Sequence, residues 1–123
     1  MTRSRSEQFD ELVLDAVGRL ERRWPDELRN VEVTVEEVPP GESAVGQGRF
    51  GVPLGESAPP VAGRAARIIV YRRPVESRAA DPRSRAALVH DVVVERVADL
   101  LGLSPEEVDP DYGSDAPGGG SRD

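Results

Sequence analysis

The chain has 123 residues, enough for one compact domain with a modest core, and no cysteine, which excludes a disulfide framework and any thiolate metal site. Charged residues make up 32% and the net charge is −7, a composition that points away from general affinity for nucleic acid. No apolar run approaches the ~20 residues of a membrane span, the N-terminus lacks the apolar stretch of a signal peptide, and the expected compartment is the cytoplasm.

From the N-terminus, Phe9, Leu12, Val13, Ala16, Val17, Leu20 and Trp24 recur at three- and four-residue steps, the spacing of a helix with one buried face. Ser6 is its expected N-cap and Pro25 its stop. Val31-Glu-Val-Thr-Val35 alternates apolar and polar residues, which predicts a strand covered on one face. Residues 39–63 are rich in Pro, Gly and Ser and are expected to form a mobile loop. The apolar island Phe50-Gly-Val-Pro-Leu54 would pin that loop to the core, with a short strand at 48–54 joining the sheet.

Arg67-Ile-Ile-Val-Tyr71 predicts a more deeply buried strand, ended by Pro74. Asp81-Pro82 opens a long helix with an N-cap carboxylate and a proline at the first helical position, and Gly102 is its C-cap. Ser104-Pro105-Glu106-Glu107 sets up a capping box for a short helical turn. From Asp109 onward there is too little apolar content to fold, so the domain is expected to span residues 6–109, with 110–123 a disordered tail. The fold class is α+β: an N-terminal helix, a small mixed sheet and a long C-terminal helix.

The charge is uneven. Residues 64–85 hold seven arginines against Glu76 and Asp81, whereas residues 7–37 hold ten acids against four arginines, and every basic residue is arginine. The default expectation is that the basic segment folds against the acidic ones. The alternative is a patch for anionic ligands built on Arg67, Arg72 and Arg73.

Along the long helix, Val89, Val93, Val97, Leu100 and Leu101 fall on one face, and Asp91, Glu95 and Asp99 stand opposite at four-residue steps. Such carboxylates are either a solvated stripe or oxygen ligands for a hard divalent cation. His90, the only histidine, falls among the apolar residues and is expected to be buried, neutral and bonded to a backbone carbonyl.

Phe9-Asp-Glu-Leu12, Asn30-Val-Glu-Val-Thr-Val-Glu-Glu37 and Ala66-Arg-Ile-Ile-Val-Tyr-Arg-Arg-Pro74, in this order and spacing, resemble the minimal zincin-like metallopeptidase family over roughly residues 7–109. The resemblance implies a zincin-like fold whose final helix carries His-Glu-x-x-His-x-x-Gly, an acidic third ligand three or four residues later, and zinc. Anchored on Gly102, the register puts Glu95 at the first histidine, Arg96 at the catalytic glutamate and Asp99 at the second histidine, with Pro105 or Glu106 at the third ligand. Both imidazoles are replaced by carboxylates and the general base by a cation that cannot accept a proton. Moving the motif to His90-Asp91 puts Val94 at the second histidine and breaks the match at Gly102.

The leading expectation is therefore a degenerate zincin-like protein with no metal cofactor and no catalytic residue, acting by binding a peptide or protein, without membrane association. Two alternatives stay open. One is a divalent-metal hydrolase using Glu95, Asp99 and Glu106; the other is an arginine-patch binder of anionic ligands.

Overall fold

The computed structural model describes residues 3–40 and 53–113. In chain order the elements are α1 (Arg5–Arg23), α2 (Pro25–Leu28), β1 (Glu32–Glu36), β2 (Gly55–Ala58), β3 (Arg67–Tyr71), α3 (Arg72–Arg78), α4 (Pro82–Leu101) and α5 (Pro105–Val108). The architecture is α+β, as the sequence predicts, and the long helix is unbroken through Val93.

Local chemistry sets most boundaries. The N-cap of α1 is Ser4 rather than Ser6, because Ser4 has a glutamate three residues on. Its hydroxyl accepts from the Glu7 amide while the Glu7 side chain accepts from the Ser4 amide. Pro25 does end α1, but it also occupies the first position of α2, where no amide hydrogen is needed. Asp81 caps α4, Gly102 closes it at φ 70°, and Ser104 with Glu107 forms the second capping box.

The sheet has the order β1-β3-β2. β1 runs parallel to β3, with Val33 beside Ile68 and Val35 beside Val70, and β2 runs antiparallel on the other edge. A strand forms at Gly55–Ala58, just after the expected 48–54, of which Pro53 and Leu54 are not in a strand; residues 48–52, including Phe50 of the apolar island, lie outside the described residues. Gly-Glu-Ser-Ala is no intrinsic strand former, so its conformation comes from pairing with β3, supported by a bond from the Tyr71 amide to the Leu54 carbonyl at 3.0 Å. The expected loop 39–63 thus contains β2, and its Val61 forms a bridge to Arg64 just beyond it.

Pro74 does not end β3. The strand stops at Tyr71 and α3 begins at once, with Pro74 in its first turn, where a missing amide hydrogen costs no intrahelical bond.

The core joins Phe9, Val13, Ala16 and Leu20 of α1, Ile68 and Val70 of β3, and Val89, Val93 and Val97 of α4. Apart from Ala16, each such side chain contributes about 1.5–3 kcal/mol by leaving water. The buried arc of α4 also takes in His90, Val92, Val94 and Ala98, and is wider than the valine–leucine stripe predicted from spacing. The helix is covered by α1 as well as by β2 and β3. No helix among the described residues is long and apolar enough to cross a membrane.

Residues 109–113, expected to be too polar to fold, are held by hydrogen bonds instead. The Tyr112 amide donates to the Asp109 carbonyl at 2.9 Å, and the Trp24 indole reaches across to the Val108 carbonyl at 2.9 Å.

Candidate functional site

The outer surface of α4 and the neighbouring edge strand β2 form the region where the sequence places its chemistry. Glu95, Arg96 and Asp99 occupy one turn of α4, and Glu106 opens α5. The structure brings the first three together only in part. Arg96 pairs with Asp99 at 3.1 Å and donates from Nη1 to the Gly55 carbonyl of β2 at 3.3 Å, while its Nε is buried without a partner. Asp99 is half-exposed in that pair, so the attraction itself is worth no more than ~1 kcal/mol.

Glu95 is occupied elsewhere, accepting a hydrogen bond from the Tyr112 hydroxyl. That bond, with burial and the nearby charges of Asp91 and Glu106 added to that of Glu95, pushes the Tyr112 phenol far above its ordinary range. Glu106 is exposed. Among the described residues no three His, Cys, Asp or Glu side chains gather as a metal-holding group.

A zinc ion of the kind the family resemblance implies does not fit these donors. Two carboxylates have other partners, and the position between them carries a guanidinium that donates and cannot accept a proton. Chemically, this surface braces a helix against a sheet edge.

The brace depends on a close approach. A Cβ on Gly55 would stand 2.8 Å from the Ile69 carbonyl oxygen and 2.9 Å from Val92 Cγ1, so only glycine lets β2 lie this tightly on α4. Sequence reasoning missed both Gly55 and Tyr112. Tyr112 had one readable signal, an aromatic residue isolated in the acidic run Asp109-Pro-Asp-Tyr-Gly113. Gly55 had none, because its role exists only once β2 meets α4.

His90 is buried, as predicted, but its partner is a side chain. Nε2 lies 2.6 Å from Asp109 Oδ2, and Nδ1 is buried without a partner. Asp109 sits at the C-terminal end of α5, which is folded back beside α4, and so displaces the expected backbone carbonyl. Burial pushes the Asp109 carboxyl up, but the Asp111 amide and His90 outweigh it and hold the group below the usual carboxylate range.

The arginine set divides. Arg72 pairs with Glu76 at 2.9 Å and also with Glu37, and Arg73 lies 3.6 Å from Glu37, so part of the basic segment does fold against acids. Arg67 begins β3 whereas Arg72 and Arg73 follow its end, and five strand residues separate them by roughly 16 Å. The three therefore do not make one patch.

Comparison with curated proteins finds no match to this chain. A family model described as zincin-like metallopeptidase matches residues 28–114, a span that contains the sheet, the long helix and the α5 turn.

Proposed function

Because the chain belongs to the zincin-like metallopeptidase family, we propose that it is a member that has lost zinc binding and peptide-bond hydrolysis and acts by binding a peptide or protein partner. The observation that carries this reading is Arg96. It stands where the family places a glutamate that would accept a proton from metal-bound water, and its guanidinium is engaged with Asp99 and the Gly55 carbonyl. A permanent cation at that point repels a second cation and cannot serve as a base.

The carboxylates at the two histidine positions support the same reading. Restoring metal coordination there would require breaking both the Tyr112–Glu95 bond and the Arg96–Asp99 pair. What survives in this reading is the scaffold and a surface for recognition, and it needs no cofactor. The test is an assay of the purified protein with Zn²⁺ or Mn²⁺ against an unfolded protein substrate. No cleavage above the metal-only control is expected; metal-dependent cleavage that disappears in Glu95→Ala would overturn the reading.

A further inference from the structure

Two hollows border α3 and share Arg73 and Ser77. One, of about 540 Å³, opens between the first turn of α1 and α3, where Arg5, Ser6, Arg72 and Arg73 line it. The other, of about 690 Å³, lies toward the end of β1 and the approach to β2, with Val38, Pro39, Leu54 and Pro74 as apolar walls and Arg73 and Arg78 beside them. Both volumes fall within the ~300–1,000 Å³ of ordinary ligand sites.

The charges on this face are not self-cancelling. Arg72 is used up, with 13% of its side chain exposed, and by holding Glu37 and Glu76 it offsets one of the two carboxylate charges bordering the groove. Arg73 is 69% exposed and only loosely paired with Glu37, at 3.6 Å, a carboxylate it shares with Arg72. Arg5 and Arg78 are exposed and form no ion pair among the described residues. In a chain of net charge −7, a groove where the guanidinium groups of Arg5, Arg73 and Arg78 outnumber the one carboxylate charge that Arg72 leaves unmatched is complementary to an anion.

The apolar walls select among anions. Val38 is one of three large apolar side chains exposed among the described residues, at 54%, and it stands beside Leu54 and Pro74. Among the described residues no aromatic side chain lines either hollow, and apolar walls of Val, Leu and Pro suit an aliphatic side chain rather than a stacked base.

We propose that the groove along α3 binds an extended acidic segment of a partner protein, one apolar side chain entering between Val38, Leu54 and Pro74 while flanking carboxylates meet Arg73, Arg78 and Arg5. The inference rests on the reading that this protein works by binding, and it puts the bound peptide at α3 rather than at the α4–β2 surface.

The test uses the full chain and a set of fluorescein-labelled nonapeptides, each with a central Leu, Ile, Val or Phe flanked by Asp and Glu. Matched peptides with Asn and Gln, and a single-stranded oligonucleotide, are run beside them by anisotropy. At least one acidic peptide should bind, its neutral counterpart at least ~10-fold more weakly, and added salt should weaken the acidic one. Arg73→Glu with Arg78→Glu should reduce affinity at least ~10-fold, whereas Arg73→Lys with Arg78→Lys, an equally exposed pair of changes that keeps both charges, should retain most of it.

Amide chemical-shift mapping should place the perturbation at residues 73–78. Unaltered binding by the charge-reversed protein, tighter binding of the oligonucleotide, or no binding by any acidic peptide would overturn the proposal. Perturbation confined to residues 95–99 would also overturn it, while leaving the binding function intact. Metal-dependent cleavage of the peptides would overturn the functional reading itself.

Discussion

Replacing Gly55 by alanine tests whether β2 is seated on α4 as closely as the geometry requires. The added methyl would meet the Ile69 carbonyl oxygen at 2.8 Å and Val92 Cγ1 at 2.9 Å, and neither is the free end of a flexible side chain. Overpacking of this kind costs ~1–3 kcal/mol. Against it, alanine restricts the unfolded chain and returns ~0.4–1 kcal/mol. Displacing β2 also strains the long bond from Arg96 to the Gly55 carbonyl, worth ~0.5–1 kcal/mol. The net expectation for Gly55→Ala is a loss of about 0.5–3.5 kcal/mol, centred near 2, in urea unfolding followed through the single tryptophan, Trp24.

Val92→Ala alone should also destabilise, since Val92 is 3% exposed and loses buried methyl groups. In the double variant the new alanine methyl grows into the vacated space, so the two losses should fall short of additivity by ~0.5–1.5 kcal/mol. Recovery should be incomplete, because the Ile69 carbonyl remains in contact. A Gly55→Ala protein as stable as the parent, or strict additivity in the double variant, would refute the close-packing argument.

Two further outcomes concern the buried polar groups. The chain has two tyrosines, with Tyr71 pushed up to about 12 by burial and the charges of Glu56 and Glu36, and Tyr112 pushed higher still. Absorbance at 295 nm should show no phenolate step near pH 10 in the native protein, and a full step there would contradict the Tyr112–Glu95 bond. Asp109→Asn should cost ~1.5–3 kcal/mol near neutrality. Because the Asp109 carboxyl is held below its unfolded value of ~3.9, its contribution is complete above that value and lost as pH falls through the lower folded one. The stability gap between parent and variant should therefore close on acidification below about pH 4, and a gap that widens would reverse the sign of the argument.

Much of this fold was legible because its signals are local. Asp81-Pro82, Gly102 and Ser104 with Glu107 declare helix ends within a few residues of themselves, and Arg67–Tyr71 announces a buried strand by its run of β-branched and aromatic residues. Apart from the N-cap at Ser4 and the role of Pro74, the misses were set by distant partners. β2 is a strand only because β3 offers it an edge and Gly55 fits under Val92. His90 was readable as buried, but Asp109 lies nineteen residues away and becomes its partner only after α5 folds back. At the site, the register giving Glu95, Arg96 and Asp99 came from Gly102 and the family resemblance; that Glu95 would be held by Tyr112 was beyond any spacing rule.

The central claim is that a zincin-like scaffold remains while three side chains of α4 have removed its capacity for zinc. Zinc titration by calorimetry, on the parent protein and on the triple variant Glu95→His, Arg96→Glu, Asp99→His, addresses it most directly. The triple variant also releases Tyr112 and the Gly55 carbonyl, so circular dichroism and a urea midpoint accompany the titration. The account predicts no stoichiometric zinc binding by the parent and one equivalent bound by the folded variant, because one helical turn already sets the spacing of the two imidazoles. Tight stoichiometric zinc binding by the parent, or a normally folded triple variant that binds none, would contradict it.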